Sequence, residues 1–237
     1  MVKRSESTLA GSRANALRQL LAAPGIVTMP CCFDALSAKL IEQAGFPLTF
    51  MSGFAVAAAR LGAPDTGLIS YAEMLDQGRN ICDAVSIPVI GDADTGYGNA
   101  MNVKRNVAGY ARAGFACAMI EDQLAPKRCG HTRGKEVVSR VDAASRIRAA
   151  VEVREEGHDI LIMARTDARH GHGLDEAIER CRIFADLGAD ILFLEAPQSE
   201  AEMARLCSAL PGPKLANMVE QGDTPLPAPA RLEGPAF

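Results

Sequence analysis

Apolar residues along this chain fall into short, near-continuous runs, separated by longer stretches in which they recur every three or four positions. The runs cover 25–29, 47–51, 87–92, 116–121, 159–165, 190–195 and 214–218. Runs of that length without strict alternation are expected of strands buried on both faces, as in a parallel sheet. The intervening stretches carry helix signals. Ser70 with Glu73, and Ser199 with Glu202, have capping-box spacing, and Ser139 with Asp142 is a looser version. The words Ala44-Gly45-Phe46, Ala113-Gly114-Phe115 and Leu187-Gly188-Ala189 place glycine where a helix stops in the left-handed conformation, with a strand next. The first 21 residues read as an amphipathic helix carrying Leu9, Leu17, Leu20 and Leu21; Arg13 and Arg18 break the apolar core a signal peptide would need.

Alternating strands and helices predict a parallel sheet, either open and doubly wound or closed into a barrel. The polar punctuation favours the barrel. Ser52, Asp92, Asp94, Glu121, Arg165, Glu195 and Asn217 lie at or just past the C-terminal ends of different strands. A barrel gathers such ends at one mouth, whereas an open sheet spreads them along an edge. The expected fold class is therefore α/β, a (β/α)₈ TIM-type barrel in one domain over 1–237. Seven strands are counted where a closed barrel has eight, and beyond Leu226 the chain turns Pro- and Ala-rich, so the barrel is expected to be truncated after its seventh strand.

Composition narrows the functional classes. A net charge of −4 gives no basic footprint for nucleic acid. No apolar run reaches the roughly 18 residues of a membrane span. The seven cysteines are odd in number and form no CxxC, which argues against a disulfide framework and for a reducing, cytoplasmic setting.

Three stretches carry chemistry. In Gly91-Asp92-Ala93-Asp94-Thr95-Gly96, two carboxylates lie two apart at a strand end. Extended backbone would point both the same way, toward one hard cation such as Mg²⁺; a solvated acidic turn is the alternative. Glu121 ends another apolar run, and Asp65 follows the second strand. Several acids at one rim need a cation or an arginine between them. In Lys127-Arg128-Cys129-Gly130-His131, a thiol stands among residues that are or can be positive, Arg133 included. Such surroundings favour thiolate; a bystander cysteine on a basic loop is the other reading, and a zinc site lacks a second Cys/His pair. Arg165 ends a buried strand and needs an anion. A substrate carboxylate, an ion pair with Glu121 or Glu195, or both would serve.

Taken together, Asp92-Ala93-Asp94-Thr95-Gly96-Tyr97-Gly98, Glu121-Asp122-Gln123, Pro126-Lys127-Arg128-Cys129-Gly130-His131, Ala164-Arg165-Thr166-Asp167, Glu195-Ala196 and Ala216-Asn217-Met218 resemble the isocitrate lyase/phosphoenolpyruvate mutase superfamily. The similarity runs from about Pro30 to Leu226, and the cysteine word resembles the lyase branch, in the manner of 2,3-dimethylmalate and methylisocitrate lyases. The resemblance implies a (β/α)₈ barrel, a bound Mg²⁺ with Mn²⁺ as substitute, a small-molecule carboxylate substrate and an α-keto acid product. It implies Asp65, Asp92, Asp94 and Glu121 as the metal shell, some through water. Ser52 and Gly53 would meet the keto-acid carboxylate, with Arg165 beside it. Gly130, His131 and Asn217 would hold the other product, Glu195 would join the substrate's polar network, and Cys129 would be the acid/base thiol. Closure of the 122–138 connection would exclude water. Family members are homo-oligomers, often tetramers, and continue past the Leu226 position into an eighth strand and helices that pack on a neighbouring subunit. Those are expected to be missing here.

Three readings follow. The first is a carbon–carbon lyase acting on a 2-hydroxy di- or tricarboxylate of the methylisocitrate, isocitrate or dimethylmalate type. The second is a phosphonate enzyme of the carboxyvinyl-carboxyphosphonate or phosphoenolpyruvate mutase type, whose chemistry needs no thiol acid. The third is a truncated, inactive family member.

Overall fold

The computed structural model describes residues 12–129, 134–220 and 222–226. Seven strands form one parallel sheet in the order in which they occur along the chain. They are β1 (Cys31–Cys32), β2 (Thr49–Met51), β3 (Val89–Asp92), β4 (Cys117–Glu121), β5 (Leu161–Thr166), β6 (Ile191–Leu194) and β7 (Lys214–Leu215). Nine helices of the described residues surround it: α1 (Arg13–Ala22), α2 (Ala35–Gln43), α3 (Gly53–Leu61), α4 (Tyr71–Ala84), α5 (Ala100–Ala113), α6 (Arg140–Glu155), α7 (Ala168–His172), α8 (Leu174–Asp186) and α9 (Glu200–Ala209). Sequential parallel order curls the sheet into the larger part of a TIM-type barrel, with β1 and β7 as its edges among the described residues.

Six of the seven expected strands form, each trimmed by a residue or more. The run at 25–29 does not. Its backbone is unpaired, and the first strand is Cys31–Cys32 instead. The register Cys31↔Phe50 would set 26–29 opposite 45–48. Pro47 has no N–H to give there, and Gly45 turns at φ 86° to leave α2. The three predicted glycine stops hold, with φ of 86°, 94° and 96° at Gly45, Gly114 and Gly188. The Ser70–Glu73 box is reciprocal. Ser199 caps α9, but Glu202 turns its carboxylate to Arg169 and to the Gln198 N–H, so that box is half made.

Alternation along each strand decides what faces the barrel axis. Leu48 and Phe50, Ile90, Cys117 and Met119, Leu161 and Met163, and Ile191 and Phe193 form the inner core. Leu17 of α1 packs fully buried with them and plugs the bottom. The intervening residues, among them Met51, Val89, Ala118, Ile120, Ile162, Ala164, Leu192 and Leu194, pack outward on the helices. One more step of two along each strand reaches Ser52, Asp92, Glu121, Arg165 and Glu195. The period-2 rule that builds the core thus sets these five polar residues on the inner face of the mouth.

Candidate active site

One cavity of about 1370 Å³ runs from this mouth along the gap between β1 and β7, where residues 25–31 and 212–219 also line it. Its walls include Ser52, Asp65, Asp92, Lys127, Cys129, Arg165, Glu195 and Asn217, with Phe54, Met119 and Phe193 as apolar surface. Of the expected site residues, Ser52, Asp65, Asp92, Cys129, Arg165, Glu195 and Asn217 line it, whereas Gly53, Asp94 and Glu121 lie behind the wall, in contact with Asp92, Lys127 and Arg165 respectively. Gly130 and His131 lie outside the described residues.

The acids are arranged differently from the sequence expectation. Asp94 does not continue the extended strand; it is left-handed at φ 49°, a conformation rare outside glycine that Asp adopts more readily than most side chains. Its own N–H donates to Asp92 Oδ1 at 3.0 Å, and Asp92 Oδ2 accepts the Gly53 N–H at 3.0 Å. A Cβ at Gly53 would come within 2.7 Å of that oxygen, so only glycine fits there. Gly53 thus holds Asp92. Ser52 caps α3 by accepting the Ala55 N–H, and its hydroxyl lines the cavity.

Lys127, read from the sequence as a neighbour of the thiol, instead reaches into the acids. Its Nζ lies 2.5 Å from Asp65 Oδ1 and 2.6 Å from Asp94 Oδ1, with all three side chains buried. Burial alone would lower the lysine pKa, but Asp94, Asp92, Glu121 and Asp65 hold it up. Burial and the charge of Asp92 push Asp94 up to about 6 against the pull of Lys127. Glu121 is pushed well above the carboxylate range, chiefly by burial, although Arg165 opposes the rise.

Arg165 meets both of its expected partners, with Glu121 Oε2 and Glu195 Oε2 each at 3.3 Å. Its aligned hydrogen bonds go elsewhere: Nε and Nη2 fork onto the two oxygens of Asp167, both at 2.9 Å. Phe193 lies under the guanidinium, 5.2 Å from ring centroid to Cζ. Asn217 Nδ2 donates to Glu195 Oε1 at 3.4 Å. Cys129 is partly exposed on the cavity wall; Cys32, Cys82, Cys117, Cys181 and Cys207 are buried, and no cysteine of the seven forms a disulfide.

Asp122, Lys135 and Asp167 were not foreseen as site residues. Asp122 accepts Thr166 Oγ1 at 2.6 Å, the Asp167 N–H at 2.9 Å and Arg180 Nη1 at 3.1 Å. It therefore fixes the end of β5 from the end of β4. The spacing of Asp167, two past Arg165, was the available signal.

Among the described residues, no three Asp, Glu, His or Cys side chains stand ready as a metal shell. The expected shell is interrupted because the Lys127 ammonium stands between Asp65 and Asp94. The donor set nevertheless suits a hard divalent cation. It is all oxygen and buried, and Glu121 Oε1 has no hydrogen-bond partner.

The phosphoenolpyruvate phosphomutase profile matches residues 17–233. The chain belongs to the phosphoenolpyruvate mutase/isocitrate lyase superfamily. Among its superfamily relatives is 2,3-dimethylmalate lyase of Eubacterium barkeri, 47% identical over 92% of this chain and 75% of the relative. A solved 2,3-dimethylmalate lyase superposes with a TM-score of 0.92 at 40% identity, covering 95% of this chain and 76% of that one. Oxaloacetate acetylhydrolase bound to 3,3-difluorooxaloacetate superposes equally well, at 0.92 and 41%, over 95% and 78%. A phosphonopyruvate hydrolase solved with oxalate and Mg²⁺ superposes at 0.75 and 33%, over 85% and 69%. No helix of the described residues is long and apolar enough to cross a membrane.

Proposed function

We propose that this protein is a divalent-metal-dependent carbon–carbon lyase. It cleaves a 2-hydroxy di- or tricarboxylate of the dimethylmalate, methylisocitrate or isocitrate type into pyruvate or glyoxylate and a second carboxylate. The observation that carries the reading is one cavity walled by buried acids, an arginine and a partly exposed thiol.

Asp65, Asp92, Asp94 and Glu121 would hold Mg²⁺ or Mn²⁺. Bound there, the cation supplies positive charge that acidifies the substrate hydroxyl and is worth several kcal/mol of charge stabilisation. Arg165 receives a substrate carboxylate through the part of its guanidinium that is not forked on Asp167. Ser52, Glu195 and Asn217 line the same wall and orient the remaining oxygens. As the hydroxyl proton passes to water, the bond between the hydroxyl-bearing carbon and its neighbour breaks. The first carbon becomes the carbonyl of the keto acid, and the electron pair leaves on the second. Cys129 then delivers a proton to that carbon.

The test is release of pyruvate or glyoxylate from 2,3-dimethylmalate, methylisocitrate and isocitrate, and of oxalate and acetate from oxaloacetate, with Mg²⁺ and with EDTA. One hydroxy acid should turn over and EDTA should abolish its turnover. C129S should slow it by roughly 10²–10⁴-fold, the usual worth of a general acid. Full activity in C129S would remove the thiol from the mechanism. Turnover of oxaloacetate alone, to oxalate and acetate, would replace cleavage of a hydroxy acid by hydrolysis.

A further inference from the structure

Arg165 faces three buried carboxylates, and they do not hold it equally. Glu121 and Glu195 lie beside it at 3.3 Å, whereas Asp167 takes two aligned hydrogen bonds at 2.9 Å. A planar guanidinium forked on a carboxylate has one orientation, so Asp167 sets the plane of Arg165. Asp167 is itself placed by its N–H on Asp122, and its side chain is wholly buried.

Even with Glu121 pushed toward its neutral form, the other carboxylates outnumber the one guanidinium in a dry place, which is costly without a further cation. That cation is present. Lys135 Nζ lies 3.2 Å from Asp167 Oδ1, the same oxygen that accepts Arg165 Nη2, and its side chain is 2% exposed. A buried lysine is rare unless paired. The backbone delivers this one: Leu124 N–H donates to Glu136 O at 2.8 Å, Val138 N–H to Asp122 O at 2.9 Å, and Gln123 bridges Val137. The strip bearing Lys135 is thus pinned on the segment that follows β4, one residue past Glu121.

We propose that Asp167 and Lys135 are positioning residues that act as a pair. Asp167 fixes the guanidinium plane of Arg165 toward the cavity. Lys135 balances and holds Asp167, tying the strip before α6 to the end of β5. Only the identity of the anion that Arg165 meets rests on the lyase reading.

The experiment reads Arg165 directly, then reads turnover. In ¹⁵N-arginine-labelled protein the Arg165 Nε–H resonance is assigned by its absence from R165K. Its solvent exchange is then compared in wild type, D167N, K135M and K135R. Exchange should accelerate about 10- to 100-fold in D167N and K135M, the equivalent of one charge-assisted hydrogen bond. K135R should return most of the protection, and the D167N/K135M double variant should exchange no faster than D167N. In the assay above, K135M should raise KM for the hydroxy acid more than it lowers kcat, with K135R restoring KM. Unchanged Nε–H exchange in K135M, or additive effects in the double variant, would overturn the pairing. If D167N fails to fold, K135M against K135R decides alone. A wild type with a protected Nε–H but no hydroxy-acid turnover would sink the lyase reading and leave the positioning pair standing.

Discussion

At the scale of single residues, Lys127 has the largest consequence. Its ammonium sits where the acids would otherwise repel, 2.5 and 2.6 Å from Asp65 and Asp94. Two partnered carboxylates lose their counter-ion if it goes, and breaking such a buried pair costs about 3–5 kcal/mol. A divalent cation held as proposed above would offer positive charge to the same oxygens. K127M should therefore lose about 3–5 kcal/mol of unfolding free energy without metal, and saturating Mg²⁺ should recover most of it. Urea unfolding of wild type and K127M, each with EDTA and with Mg²⁺, measures this. A deficit that Mg²⁺ leaves unchanged would show that lysine and metal do not share the acids. The sequence did not disclose this role, because Lys127 stands two residues from Cys129 in a word that reads as positive surroundings for a thiol. Only the fold reveals which anions it reaches.

At the scale of elements, packing of helix on sheet is set by two glycines around one ring. A Cβ on Gly78 of α4 would lie 2.2 Å from Phe115 Cζ, and one on Gly91 of β3 would lie 2.7 Å from Phe115 Cε1. Phe115 also stacks on Tyr110 with centroids 4.5 Å apart. The ring fills the space both glycines leave, so G78A should destabilise by overpacking, about 1–3 kcal/mol. F115L should lose less in the G78A background than alone; thermal unfolding of the four proteins gives the coupling. Strand placement was largely legible, since the C-terminal ends of the apolar runs gather Ser52, Asp92, Arg165 and Glu195 at one mouth, with Glu121 beside Arg165. Three things were not. The run at 25–29 has a strand's composition, but proline and a helix-ending glycine stand opposite it. Asp94 reaches the acids through a left-handed turn, which no period-2 argument contains. Asp167 and Lys135 lie 32 residues apart, and only the strip pinned beside β4 brings them together.

At the scale of the whole molecule, stability against pH is a sum over acids of opposite sign. Glu176 stands for the stabilising kind. Hydrogen bonds from Arg140 hold it down to about 2, against an opposing effect of burial and with Arg180 adding to the fall. Through Arg180, which also meets Asp122, this carboxylate braces α6 and α8 against the end of β4. A carboxyl whose pKa is lower folded than unfolded binds fewer protons in the native state. Unfolding is then favoured as protons become available. The contribution of Glu176 is complete above its ordinary value of 4.5 and disappears as pH falls from there to about 2. In E176Q the two arginines keep a neutral acceptor and no titrating group. The stability difference between wild type and E176Q should therefore be largest at neutral pH and shrink steadily below about 4.5. Urea midpoints of both proteins at half-unit steps from pH 7 to 3 measure it. A difference constant over that range would mean that the Arg140–Glu176–Arg180 brace contributes by shape alone. A shrinking difference would show that charge at one helix pair contributes to holding the strand end on which Glu121 and Asp122 sit.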